Sequence, residues 1–206
     1  MKYWIFGCLL FATSLQAETF QPNAQYCLVC HGSKAQGNVA ISAPNLAILP
    51  DWYLTAQLRA FQSDWRGHQS TDAYSKEMMA VAKSMSPEEI KRAISFITSF
   101  QVSKSVETLD GNISHGKALF QTCVACHGAN AEGNQSLGAP PLAGQYSWYL
   151  LRQLQAYRSG QRGHAEQDSK GALMRQIASS LNSDQDLNDV MAYINTLALP
   201  STGVKN

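Results

Sequence analysis

Apolar positions recur with the spacing of an α-helix at two places in the chain. The first stripe predicts a helix over residues 51–65 and consists of Trp52, Leu54, Leu58, Phe61 and Trp65. A similar stripe predicts a helix over residues 147–158, which ends before Gly160. Each helix presents one apolar face, so each is expected to pack against a core.

Two further helices are predicted from their first residues. Ser86 is followed by Pro87 and then by Glu89, the pattern of a serine N-cap, a proline in the first turn and a capping box. Ser183 begins the second segment, with Asp186 in the place of the glutamate. The expected buried faces are Ile90, Ala93, Ile94 and Ile97 in the first helix, and Leu187, Val190, Met191 and Ile194 in the second.

A fifth helix is predicted from Ser114 to about Gln121. The corresponding segment of the first half is short, so its N-terminal helix is expected to be short or missing. No segment shows the apolar–polar alternation of a strand. The pattern therefore predicts an all-α protein.

These elements belong to an internal repeat with an offset of 96 residues. Matching segments include Trp52-Tyr53-Leu54 with Trp148-Tyr149-Leu150, and Arg66-Gly67-His68 with Arg162-Gly163-His164. The predicted division is a signal peptide over 1–17, a first domain over 18–100, a linker over 101–111 and a second domain over 112–206.

Each copy also carries a Cys-x-x-Cys-His run, formed by Cys27, Cys30 and His31, and by Cys123, Cys126 and His127. This run is the attachment site of c-type haem, in which two thiols form thioethers and the histidine reaches the iron. A single run could instead be a redox dithiol, and paired disulfides are a further alternative. Disulfides leave both histidines without a role, and duplication favours two covalently attached haems c.

A haem iron held by one histidine has a second axial position, and candidates for it must repeat. Met78 and Met174 do, and a thioether suits electron transfer. His68 and His164 also repeat, but they follow Arg-Gly in a polar stretch that resembles a solvated turn. His31 with Met78, and His127 with Met174, are therefore the predicted iron ligands.

Other repeated residues have predicted roles around the haem. Pro44 and Pro140 each follow the haem histidine by 13 residues, and their carbonyls could accept a bond from the imidazole. Arg66 and Arg162 could pair with haem propionates. The pocket walls are expected to include Trp52, Tyr53, Trp148 and Tyr149. No catalytic residue is predicted.

Composition and charge narrow the choice of compartment and partners. A formal charge of +1 from 16 basic and 15 acidic residues lacks the basic footprint of a nucleic-acid-binding protein. Lys2, a short apolar segment and Ala17 form the pattern of a cleaved signal peptide, which predicts a periplasmic protein. The fifth cysteine, Cys8, lies in that segment, so four cysteines serve two haems.

With these residues identified, the chain resembles the two-haem class I cytochromes c of the cytochrome c4 type. The resemblance covers nearly all of the mature chain and depends on Cys-x-x-Cys-His-Gly, Ala-Pro-x-Leu-Ala, Trp-Tyr-Leu-x-x-Gln-Leu and the methionine before the Ser-x-x-acid helix start. It implies two small all-α domains, each wrapped around one haem with His/Met iron. It also implies a periplasmic carrier, often loosely bound to the inner membrane, that passes electrons towards terminal oxidases.

The predicted function is therefore electron transfer between a redox-protein donor and acceptor, without a small-molecule substrate. Two alternatives remain open. One is the electron-accepting subunit of a dehydrogenase, which uses the same residues. The other is a di-haem enzyme such as a thiosulfate dehydrogenase or peroxidase, which the identical methionines and the absence of a spare cysteine disfavour.

Overall fold

The computed structural model describes residues 24–101, 104–105 and 109–197. The predicted signal peptide and part of the predicted linker lie outside these residues. Within them, all regular secondary structure is helical, which confirms the all-α prediction. The described helices are all too short or too polar to cross a membrane.

The described residues form four helices and one 3-10 turn in the first copy and four helices in the second. The first contains α1 (Tyr26–His31), the 3-10 turn Val39–Ile41, α2 (Asp51–Gln62), α3 (Ala73–Lys83) and α4 (Pro87–Ile97). The second contains α5 (Ile113–His127), α6 (Ser147–Arg158), α7 (Ser169–Ala178) and α8 (Asp184–Thr196).

The predicted helix starts are observed. Ser86 and Ser183 are the N-caps of α4 and α8, and both complete a capping box with an acidic residue. The predicted helix over 51–65 is three residues shorter, because Asp64 turns the chain away with a φ of 62°. Gly160 takes the equivalent left-handed position after α6.

Other helices differ from prediction. The helix expected from Ser114 to about Gln121 continues through the cysteines and ends at His127. Its partner α1 has only six residues, in line with the short N-terminal helix expected for the first copy. Helices α3 and α7 were not predicted, and they contain Met78 and Met174.

Each copy has a hydrophobic core of its own, made by its capped helix and the helices around it. The first core includes Leu54, Met85, Ile90, Ala93, Ile94 and Ile97. The second includes Phe120, Leu154, Leu187, Val190, Met191 and Ile194. All four residues expected on the buried face of α4, and all four on α8, are buried.

Candidate haem sites

Both Cys-x-x-Cys-His runs lie at the C-terminal ends of helices, where the chain turns sharply. Helices α1 and α5 end at His31 and His127, and the following Gly32 and Gly128 have φ angles of 83° and 81°. Only glycine adopts this conformation without strain. The histidines are buried, with 4% and 6% of their surface exposed. The four cysteines are half-buried free thiols.

Each histidine is fixed by one hydrogen bond at the predicted place. Nδ1 of His31 lies 2.9 Å from the carbonyl oxygen of Pro44, and Nδ1 of His127 lies 2.8 Å from that of Pro140. A carbonyl oxygen only accepts, so Nδ1 donates and Nε2 keeps its lone pair. Burial lowers the pKa of both imidazoles, which favours their neutral form. Both are therefore prepared to bind a metal through Nε2.

A cavity of about 610 Å³ lies mainly in the second copy and is also lined by residues of the first, and its volume is within the usual range of ligand sites. Cys123, Cys126 and His127 line it together with Met174. Its apolar wall includes Leu142, Leu150, Leu154, Ile177, Val190 and Ile194. Two thiols, an imidazole and a thioether in one apolar cavity are the groups that hold haem c, so these residues fit the cofactor.

The methionines have equivalent positions on α3 and α7. Met78 and Met174 are both half-buried, and Met174 also packs against the second core. By contrast, Met85 and Met191 are 7% and 3% exposed and belong to the cores, as expected for methionines without a ligand role.

The competing histidines lie in different surroundings from each other. The side chain of His68 is 64% exposed, with Nδ1 3.7 Å from Asp64. His164 is half-buried, and its Nδ1 has no hydrogen-bond partner among the described residues. His164 does not line the cavity that holds His127 and Met174.

Arg66 reaches from the first copy into the second. Its guanidinium donates to Gln57 of its own copy at 2.9 Å, and to the Tyr149 hydroxyl at 3.0 Å and Gln153 at 2.9 Å across the interface. Burial opposes ionisation of Tyr149, but the charges of Arg66 and Arg162 outweigh it and lower its pKa. Only 8% of Arg66 is exposed.

Arg162 makes the same contacts in the opposite direction. It donates to Gln153 of its own copy at 2.9 Å, and to Gln57 at 2.6 Å and the Tyr53 hydroxyl at 3.3 Å in the first copy. These crossed bonds exchange equivalent residues, so an approximate two-fold axis relates the copies at this point. Arg66 and Arg162 were predicted to lie near haem propionates, whereas their crossing between the copies has no signal in the sequence.

The two arginines give the interface a buried positive charge. Neither forms an ion pair with a carboxylate in the described part of the chain. Both line the cavity of the second copy, and Nε of Arg66 is buried there without a partner. An anionic group such as a haem propionate would satisfy this charge. Tyr53 and Tyr149 line the same cavity, as does Trp52.

Comparisons with known proteins identify the family of both copies. The sequence profile of the family described as Cytochrome c matches residues 20–101 and again residues 113–198. Each match contains one Cys-x-x-Cys-His run. Two matches show that the repeat consists of two domains of one family.

Individual proteins resemble the chain over most of its length. A thiosulfate dehydrogenase electron acceptor from Stutzerimonas stutzeri is 30% identical over 88% of this chain and 83% of its own. The cytochrome c4 structure from Acidithiobacillus ferrooxidans is 27% identical with a TM-score of 0.68, covering 83% of this chain and 98% of that one.

A third protein is larger. The thiosulfate dehydrogenase TsdBA from Marichromatium purpuratum is 28% identical with a TM-score of 0.69 over 86% of this chain, which spans only 37% of the TsdBA chain. The likeness therefore concerns one part of that enzyme. The present chain belongs to the cytochrome c family, and its two haem-c domains are of the cytochrome c4 type.

Proposed function

We propose that this protein carries single electrons in the periplasm between a redox-protein donor and an acceptor such as a terminal oxidase. The observation that carries the proposal is that both copies place the same side chains at equivalent positions of the fold. Each has a buried histidine with Nδ1 bonded to a proline carbonyl, and each has a half-buried methionine on the third helix of its copy, α3 or α7. We assign His31 with Met78, and His127 with Met174, as iron ligands.

Each group around the cofactor then has a distinct role. When bound, haem c supplies the one-electron chemistry of its iron. Cys27 and Cys30 hold the first haem and Cys123 and Cys126 the second, through thioethers. The carbonyls of Pro44 and Pro140 keep the imidazole rings oriented in both oxidation states. Met78 and Met174 would bind the irons through their thioethers, which would raise the reduction potential and leave no open site for a substrate.

The proposal is tested by counting haems and electrons. Purified protein should retain two haems per chain after acid-acetone extraction, and both should be reduced and reoxidised reversibly by one electron each. Replacing Cys27 and Cys30 by alanine should remove one haem and leave the other. A single extraction-resistant haem in the unmodified protein would contradict the assignment.

A second candidate is the electron-accepting subunit of a dehydrogenase. It is favoured by the Stutzerimonas stutzeri relative, which is named as the electron acceptor of thiosulfate dehydrogenase. As an acceptor, the purified protein should stay oxidised with thiosulfate alone and be reduced when a thiosulfate dehydrogenase is added. Reduction by thiosulfate alone, with repeated turnover, would instead make this protein the enzyme.

Periplasmic location follows from the predicted signal peptide. Export and cleavage after Ala17 would make Glu18 the first residue of the mature chain. N-terminal sequencing of holoprotein from the periplasmic fraction tests this. A mature chain that still begins with Met1 would favour an anchored form.

A further inference from the structure

Arg152 is a second-domain residue whose guanidinium lies against the first domain. It donates to the Ser42 carbonyl at 3.0 Å, and its Nε lies 3.7 Å from Asp72. It also stacks over the rings of Tyr74 and Trp148, each with the guanidinium carbon 5.2 Å from the ring centre. The side chain is 24% exposed. Water therefore screens its charge only partly.

The internal repeat relates Arg152 to a residue of the first domain whose surroundings are known. Its equivalent in the first domain is Ala56, and Ala56 lines the haem cavity of the second domain. The crossed bonds of Arg66 and Arg162 relate the domains by an approximate two-fold axis at the same interface. By this symmetry, Arg152 corresponds to a wall position of the first haem site, where the second site has only the methyl group of Ala56.

Arg152 also contacts the start of the helix that carries the first methionine. Asp72 caps α3 by accepting from the Tyr74 N–H at 3.1 Å, six residues before Met78. Its equivalent Asp168 caps α7 and forms no ion pair with another described residue. The first domain therefore receives a partly buried cation at a position where the second has Ala56, whereas the crossed pair of Arg66 and Arg162 is symmetric between the domains.

The second site has a different cation of its own. Lys170, the equivalent of Tyr74, lines the cavity of the second domain but is exposed to solvent. Water and salt screen an exposed ammonium strongly, whereas a mostly buried guanidinium retains more of its field. The two sites are alike in ligands and unlike in the charge around them.

We propose that Arg152 sets the reduction potential of the first-domain centre from across the domain interface. An added electron lowers the positive charge at the iron by one unit, so a fixed positive charge nearby favours the reduced form. Arg152 thereby makes the first centre easier to reduce. This inference rests on the proposed function, because it requires two centres that accept electrons reversibly.

The experiment uses the two-haem protein and a pair of substitutions at one position. Arg152→Gln removes the charge but can still donate to the Ser42 carbonyl, and Arg152→Lys keeps the charge. Both midpoint potentials are measured by spectroelectrochemical titration. The first centre is identified as the one whose potential falls in a Met78→His reference.

Arg152→Gln should lower the first potential and leave the second nearly unchanged. The equilibrium constant for moving an electron from the second to the first centre should fall on the order of tenfold, or about 59 mV for a one-electron couple. Arg152→Lys keeps the positive charge, so its first potential should stay close to that of the unmodified protein. Arg158→Gln is the matched control, since Arg158 lies on the same helix and pairs with Asp184 of its own domain.

A substitution of opposite sign gives an independent test. Asp72→Asn keeps a good N-cap for α3 but removes the negative charge that offsets Arg152, so the first potential should rise. The proposal is overturned if Arg152→Gln shifts neither centre or both equally, if Arg152→Lys behaves like Arg152→Gln, or if Asp72→Asn lowers the first potential. Irreversible titration of the unmodified protein would instead contradict the proposed function.

Discussion

At the scale of single residues, hydrogen bonds fix the tautomer of the two haem-motif histidines and favour the charged form of one buried carboxylate. The proline carbonyls keep Nδ1 of His31 and His127 protonated, so Nε2 is the nitrogen with a lone pair available to bind a metal. This bond was predictable, because the spacing of 13 residues is the same in both copies. Nδ1 of the exposed His115 lies 2.8 Å from the carboxylate of the buried Asp189. That pairing has no counterpart in the first domain, so the repeat gave no signal for it.

Because of Asp189, we expect the second domain to lose stability in acid. The hydrogen bond with His115, followed by that from the Asn112 N–H, holds the pKa of Asp189 below its ordinary value. The ionised carboxylate of Asp189 stabilises the folded protein fully at pH values above the pKa of the unfolded state, about 3.9. This stabilisation is lost as the pH falls through the lower pKa of the folded state. Chemical denaturation should therefore show Asp189→Asn less stable than the unmodified protein at pH 7, with the difference vanishing at low pH.

The matched control is Asp110→Asn, because Asp110 is exposed. It should leave stability nearly unchanged at both pH values. A deficit of Asp189→Asn that is equally large in acid would show that lost packing, not lost charge, explains its effect.

At the scale of elements, helices with caps and apolar stripes could be predicted and others could not. Both capping boxes fixed the starts of α4 and α8. Helices α3 and α7 bury few residues, Ala82 in one and Gly171 and Ala178 in the other, so they carry weak apolar periodicity. Their methionines were found through the repeat. Helix α5 crosses α8 closely at Gly116, where a Cβ would overlap the Asp189 carbonyl oxygen.

Gly116→Ala should destabilise the second domain. Alanine normally stabilises a helix interior relative to glycine, but here the backbone of α8 leaves no room for a methyl group. We expect a loss of about 2 kcal/mol in the free energy of unfolding, typical of an overpacked core. Thermal and chemical denaturation of the holoprotein measure it. Lys117→Ala, an exposed change on the same helix, should have little effect. Stabilisation by Gly116→Ala would contradict the close crossing.

At the scale of the whole molecule, the interface is only partly symmetric. The crossed arginines repeat, but Gln145 does not, since its equivalent is Leu49. Gln145 accepts from the backbone N–H of Asn45 at 2.9 Å and donates to its carbonyl at 2.8 Å. The sequence predicted two domains because their motifs repeat within each copy. Contacts between domains have no such periodic signal, so neither the crossing nor this pair could be predicted.

Gln145→Ala should weaken the contact between the domains without removing either haem. The variant loses two buried hydrogen bonds between the domains, which are worth about 1 kcal/mol each. Differential scanning calorimetry should show unfolding that is less cooperative, with two transitions in place of one. Gln155→Ala is the control, because Gln155 is exposed on α6. An unchanged single transition in Gln145→Ala would show that this pair does not join the domains.

We propose that both irons have one histidine and one methionine ligand, which would make the protein an electron carrier without a substrate site. Near-infrared magnetic circular dichroism of the fully oxidised protein tests it directly, since sulfur ligation of ferric haem produces a charge-transfer band. We predict this band at an intensity that accounts for two haems per chain, and its unchanged presence in His68→Ala and His164→Ala. A band with the intensity of one haem or none, or a band that changes in either histidine variant, would contradict the assignment of Met78 and Met174 as iron ligands.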